Sequence, residues 1–246
     1  MQMPEGPSIV ILREQAAHFI GHDVLEVGGN SSLDLQRMHG LRLADLRSWG
    51  KHFILCFPGF ALRVHFLLWG SYRIDERRDS PARLRLAFDN GELNFYSSSL
   101  KYIEGDLDAA YDWSADVMAA TWDPKAARRK LKSHPKTLVC DALLDQDVFA
   151  GVGNIIKNEV LHRIRVHPES TIGALSARKL GELVTQARDY SFDFYEWKKA
   201  YVLKQHYQVH TKTTCPRDGQ RLAFRAHLGT RKRRAFFCER CQKLYR

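Results

Sequence analysis

Two cysteines in the run FFCERCQ are the first residues of this 246-residue chain whose spacing suggests chemistry. Cys238 and Cys241 stand at the interval that lets two thiolates reach one tetrahedral Zn²⁺. A second knuckle normally completes such a site. TTCPRDG supplies Cys215, with Asp218 where a further cysteine would stand. Aspartate is a harder and weaker zinc ligand than thiolate, and His206, His210 and His227 compete with it for the fourth position. One structural zinc ion is expected, with Cys215, Asp218, Cys238 and Cys241 as the favoured ligands. The contrary reading is a hairpin that has lost its metal and is held by packing alone. Between the knuckles runs GTRKRRAFF, which on a two-stranded hairpin would present guanidinium groups to a phosphate backbone.

A second signal is LLDQDVFAGVGNIIKNEVL. A helix is expected to end near Phe149, Gly151 and Gly153 permit a tight turn, and Asn154 opens a new helix whose first amides form an anion site. A third is the start, MQMPEGP. A chain begun at Met3 and stripped of that methionine would carry the free secondary amine of Pro4. A chain retaining Met1, Gln2 and Met3 would hold the same nitrogen in an amide.

Three regions are expected to position these residues. Residues 1–120 read as a β-rich domain with one leading helix, in which Ile9, Leu12, Ala16 and Phe19 recur at helical spacing before Gly21. HFILCF and FALRVHFLL read as strands broken at Pro58-Gly59, and RLRLAFDNGELNFYS as a hairpin turning at Asn90-Gly91. Residues 121–205 change to a helical period, with LVCDALLDQDVF, NIIKNEVLHRI and SARKLGELVTQARDYSFDFYEW as helices. Residues 206–246 have too few apolar residues for a core of their own and need a staple. The fold class is therefore α+β and multidomain.

Composition narrows the partner. With 38 Lys+Arg against 28 Asp+Glu the net charge is +10, which favours a polyanion, nucleic acid first and an anionic membrane surface second. No apolar run approaches the roughly 18–20 residues that span a bilayer, and no signal-like pattern opens the chain. A cytosolic monomer is expected, associated with the nucleoid if bacterial. Cys56 and Cys140 sit singly in apolar stretches and read as free thiols.

PEGP at the start, GVGNIIKNEVL in the middle and CERCQ near the end occur together in one order. In this the chain resembles the formamidopyrimidine-DNA glycosylase/endonuclease VIII family over essentially its whole length, and PEGP leans toward the endonuclease VIII branch. The resemblance implies an N-terminal β-sandwich behind a leading helix, a helix–two-turn–helix domain and a zinc-finger β-hairpin. It implies a bifunctional DNA glycosylase/abasic-site lyase acting on damaged double-stranded DNA in base excision repair. Pro4 would be the nucleophile and Glu5 the acid/base, with Ser8 where many members carry a second acid. An α-amine pKa of about 7.7–8.0 leaves a useful unprotonated fraction at neutral pH. Lys51 would contact the phosphate beside the damaged nucleotide. Asn154 and Arg233, with Arg234 competing for the latter role, would hold phosphates, and His65 is a further candidate or a core histidine. Leu67, Leu68 and Trp69 would fill the gap left by a flipped base, or end a strand in the core. The alternatives are a non-catalytic damage-binding member of the same architecture and an unrelated zinc-ribbon nucleic-acid binder.

Overall fold

A computed structural model describes residues 4–246, so the question posed by Met1, Gln2 and Met3 lies outside the described residues. The chain divides into two compact units, Met1–Asp112 and Trp113–Arg246.

The first unit opens with α1 (Gly6–Gln15), started by Pro7 in its first turn, where a missing N–H costs nothing. Ile9 and Leu12 lie on its buried face, and Ala16 and Phe19, just past its end, continue that face as the spacing predicts. Gly21, at φ +86°, then turns the chain in a conformation that side chains disfavour. Strands β1 (Glu26–Gly28), β2 (Asp45–Trp49), β3 (His52–Phe57), β4 (Phe60–His65), β5 (Ser71–Ile74), β6 (Leu84–Phe88), β7 (Gly91–Tyr96) and β8 (Ser99–Glu104) follow. They form two antiparallel sheets, ordered β1-β6-β7-β5 and β2-β3-β4-β8. Alternating residues of each, Phe53 and Leu55 from one and Leu84, Leu86, Leu93 and Phe95 from the other, join a single core. A one-turn helix, α2 (Leu107–Ala110), closes the unit.

The hairpin of β6 and β7 differs from expectation by one position. Phe88 pairs with Gly91, so Asp89 and Asn90 make the turn. Gly91 is needed for another reason: any Cβ there would collide with the Asp75 carboxylate, whose Oδ1 accepts the Glu92 N–H.

The second unit holds α3 (Pro124–Lys132), α4 (Val139–Ala142), α5 (Asn154–Arg163) and α6 (Ala177–Lys199). Asp123 and Ser176 cap α3 and α6 by accepting N–H bonds from Lys125 and Lys179. Leu143, Phe149, Ile156, Val160, Leu183, Tyr190 and Phe194 build the core. The helix expected to run to Phe149 stops at Ala142 instead. Beyond it, Asp145 Oδ1 accepts the Asp147 N–H at 3.1 Å, and the Gln146 amide bonds Leu144 O, Val152 O and the Gly151 N–H. Side chains that bond nearby backbone replace helix with turns in this way. The unit ends in an antiparallel hairpin of β9 (Ala223–Leu228) and β10 (Arg233–Phe237), with a bulge between Arg233 and Ala235.

Candidate active and nucleic-acid-binding site

Pro4 precedes α1 and is half-buried, and Glu5 occupies the N-cap at 1% exposure. A capping side chain normally accepts an N–H from the first turn, yet Glu5 makes no such bond. Ser8 is buried in that turn, its N–H bonded to the Glu5 carbonyl at 2.8 Å.

Lys51 lies in the tight turn between β2 and β3, half-buried, and His65 ends β4 opposite His52. Burial holds the His65 imidazole below its ordinary pKa, with the charges of Lys51 and Arg63 adding to the effect. His52 is pushed down to about 3, first by burial and then by Arg63, His65 and Lys51. Two of the sequence-predicted phosphate contacts, Lys51 and His65, thus share one electropositive corner in which both histidines are neutral. His65 is not a closed core residue, because it is half-buried and its Nδ1 accepts the Leu67 N–H at 3.3 Å.

The strand expected to continue through Leu68 stops at His65. Leu67, Leu68 and Trp69 form a loop, 50%, 51% and 71% exposed, and are not core residues. The loop is tight: the Gly70 N–H returns to the Phe66 carbonyl at 2.7 Å, and a Cβ on Gly70 would overlap that carbonyl. Leu67 is held at φ +52°, an unfavourable region for leucine.

In the second unit Asn154 is the first residue of α5, behind Gly151 at φ +100°, and is nearly buried. Its Oδ1 accepts from Lys157 Nζ at 2.9 Å, and the same ammonium donates to the Arg234 carbonyl at 2.9 Å. The start of α5 and the strand carrying Arg233 and Arg234 are therefore tied together. Arg233 is half-buried, and the exposed Arg234 lies within the register shift that separates Arg233 from Ala235. At the turn of the hairpin the buried Asp141 carboxylate accepts the N–H groups of Thr230 and Arg231, at 2.8 and 3.1 Å.

The ligand atoms of Cys215, Asp218, Cys238 and Cys241 all lie within 4.8 Å of one another. The two sulfurs of Cys215 and Cys241 are 3.8 Å apart, which matches the edge of a tetrahedron with Zn–S bonds of about 2.3 Å. Asp218 Oδ2 is 3.2 Å from the Cys238 sulfur, and its carboxyl is held below the usual range, first by the Gln220 N–H. These residues fit a structural zinc ion. The other candidates point elsewhere: His206 stacks on Trp197, His210 bonds Asn158, and His227 faces the Lys232 carbonyl. Around the cluster, Arg217 donates to the Cys241 sulfur at 3.2 Å, and His162 Nε2 approaches the Cys215 sulfur at 3.6 Å.

Sequence reasoning missed Lys157, Asp141 and Glu159. Glu159 is buried at 1% and accepts the N–H groups of Gln208, Val209 and His210. A signal was present: three charged residues, Asp141, Lys157 and Glu159, sit within otherwise apolar helical stretches, where unpaired charge is costly.

Residues 114–190 match the model of the formamidopyrimidine-DNA glycosylase H2TH domain. By overall structure the chain is similar to the formamidopyrimidine-DNA glycosylase of Lactococcus lactis, solved non-covalently bound to DNA containing an abasic site. The TM-score is 0.85 at 22% identity, covering 97% of this chain and 99% of that one. Its fold is thus that of a DNA glycosylase. In sequence it is 30% identical over 233 residues to endonuclease 8-like 3 of Xenopus laevis, covering 89% of this chain and 38% of that relative. It is 27% identical over 157 residues to the DNA-(apurinic or apyrimidinic site) lyase Nei2 of Mycolicibacterium smegmatis, covering 62% of each. The chain spans little more than a third of the length of the endonuclease 8-like 3 relatives it matches. It belongs to the formamidopyrimidine-DNA glycosylase/endonuclease VIII family.

Proposed function

We propose that this chain is a bifunctional DNA glycosylase/abasic-site lyase of base excision repair, with Pro4 as nucleophile and Glu5 as acid/base. Glu5 carries the reading. It is a carboxylate at 1% exposure, next to Pro4, that does not cap its helix. Glutamate is among the residues least often fully buried. Adjacent to a reactive amine, the same group can move protons.

In the proposed reaction the Pro4 nitrogen, free only when the three residues before it are removed, attacks C1′ of the damaged nucleotide. The glycosidic bond breaks and the departing base takes a proton. Glu5 protonates the opening sugar oxygen, and the nitrogen lone pair forms an iminium that is cationic because the amine is secondary. That cation acidifies the C2′ proton, which the Glu5 carboxylate can now accept, and the C3′–O bond breaks to release the 3′ phosphate. A second elimination expels the 5′ phosphate. Lys51 and His65 in the first unit, and Asn154 and Arg233 in the second, would supply phosphate contacts. Leu67, Leu68 and Trp69 would fill the space of an extruded base. Oxidised pyrimidines are the proposed substrates, in keeping with the endonuclease VIII branch. Zinc at the Cys215, Asp218, Cys238 and Cys241 cluster would hold the hairpin and take no part in the chemistry.

Borohydride trapping on duplex DNA with one abasic site tests this. Protein beginning at Pro4 should yield a covalent complex mapped to that residue, and protein retaining Met1 should yield none. Trapping by both forms would move the nucleophile to another amine. Lesion-selective binding with no trapping by either would make the chain a damage sensor.

A further inference from the structure

Lys157 is 1% exposed, although lysine is among the residues least often buried. It lies on α5, one turn after Asn154, where residues 154–162 are all buried. A buried ammonium needs acceptors, and two of those it uses are informative: Asn154 Oδ1 and the Arg234 carbonyl, each at 2.9 Å.

The first contact fixes the direction of an ambivalent side chain. Lysine only donates, so the atom of the Asn154 amide facing it must be the oxygen. What Asn154 can still offer is the Nδ2 donor pair, at a helix start whose dipole also favours anions. A phosphate oxygen only accepts, so the amide suits a phosphate in this orientation and opposes one when flipped. The second contact fixes Arg234, the β10 residue that faces the extra residue of β9 at the register shift, and bulges re-aim side chains. Nearby, His210 is bonded to Asn158 and kept neutral, pushed down to about 4 by burial with Lys157 and Arg234 adding to the effect.

We propose that Lys157 is a positioning residue for nucleic-acid binding: it orients the Asn154 amide as a phosphate donor and sets the finger strand that carries Arg233 and Arg234. The ammonium itself touches no phosphate. This rests on the reading of Asn154 as a phosphate contact.

The test measures the affinity of the zinc-loaded full chain for a duplex carrying a tetrahydrofuran abasic analogue. The variants are Lys157→Met, Asn154→Ala and the double substitution, each over a range of salt. Lys157→Met should weaken binding by about 10-fold or more, the scale of a charge-assisted hydrogen bond. The double variant should be no weaker than the weaker-binding single variant, because the lysine acts through the asparagine. The slope of log affinity against log salt should be unchanged, whereas a lysine that neutralised a phosphate directly would lower it by about 0.9. Full additivity, a lowered slope, or wild-type affinity in Lys157→Met with Asn154→Ala impaired would each overturn the proposal while leaving the phosphate reading intact. An unimpaired Asn154→Ala would remove both. Should Lys157→Met fail to fold, Asn154→Asp asks the same question with the lysine in place, since it keeps the acceptor and loses the donors. Binding weaker than that of Asn154→Ala supports the proposal, and wild-type binding overturns it.

Discussion

Between Phe53 and Phe95 the sandwich is held by interleaved side chains from two four-stranded sheets and the face of α1. The hairpin of β9 and β10 sits beside a small buried cluster of Val209, Cys215, Leu222 and Cys238, two of them candidate metal ligands, and buries Ala235 and Phe237 of its own. Leu228 packs on the helical core and Phe237 on His167, and several further supports are polar and reach in from elsewhere in the unit. Asp141 holds the turn, Lys157 the β10 backbone opposite the bulge, and Gln242 bridges the Cys238 N–H and the Val166 carbonyl. Glu159 takes three consecutive N–H groups of the segment leading in. An apolar core loses stability in increments as methylenes are removed, whereas a metal and a few polar ties fail as a set. The two regions should therefore respond differently to the same kinds of damage.

Metal removal should have the largest effect and be the most local. Chelation, or Cys238→Ser, should release residues 223–237 while leaving the sandwich folded, because structural zinc in isolated finger peptides contributes about 10–16 kcal/mol at neutral pH. Hydrogen exchange resolves the outcome. Amides of β9 and β10 should lose protection and those of β3 and β4 should keep it. Equal loss in both units would mean that the metal holds more than the finger.

In the sandwich the largest single truncation should cost less. Phe53 is fully buried and packs against Phe95 with ring centroids 5.8 Å apart. Phe53→Ala should destabilise by about 3–5 kcal/mol, read as a denaturant midpoint shift at unchanged slope. The finger should then keep its metal and its exchange protection.

Acid should act on the sandwich through His52, whose Nδ1 is buried without a hydrogen-bond partner. Its folded pKa of about 3 lies below the ordinary histidine value, burial being the first cause. The unfolded chain therefore binds a proton that the folded chain refuses. Its stabilising contribution is complete above about pH 6.5 and is lost as pH falls toward 3, at about 1.4 kcal/mol per pH unit. His52→Phe should flatten the dependence of sandwich stability on pH between about 6 and 4. An unchanged slope would assign the acid sensitivity to other groups.

The same contrast explains what could be read in advance. Alternation over Leu84, Leu86, Leu93 and Phe95 marks a buried sheet face, and helical spacing from Ile9 to Phe19 marks the face of α1. Both are periodic signals set by apolar burial. The Cys215, Asp218, Cys238 and Cys241 set was legible because metal geometry constrains spacing. Lys157 and Asp141 stood out only as charges in apolar stretches, and their partners were not legible, since a polar tie joins residues 77 and 89 positions apart and leaves no period. The end of α4 was hidden for a related reason: Asp145 and Gln146 fit a helix by propensity but bond their own turns. The turn at Asp89-Asn90 was displaced because Gly91 answers to Asp75, which no local pattern reveals.

The smallest effect on stability is expected where the sandwich is least core-like. Leu67, Leu68 and Trp69 expose half or more of their surface, and Leu67 is in a left-handed backbone conformation. Leu67 keeps half of its surface in water, so it has little burial to lose, and glycine adopts that φ without steric cost. Leu67→Gly should thus change stability by no more than about 1 kcal/mol, in the stabilising direction if strain relief outweighs the added freedom of the unfolded chain. Trp69→Ser should shift it by less than about 0.5 kcal/mol. An exposed apolar loop that contributes so little to folding is available for contact with something else. If that contact is the gap beside an extruded base, both substitutions should weaken binding to abasic-site duplex several-fold while leaving binding to undamaged duplex unchanged. Equal weakening on both duplexes would make the loop a general DNA contact, and a large loss of stability would return it to the core.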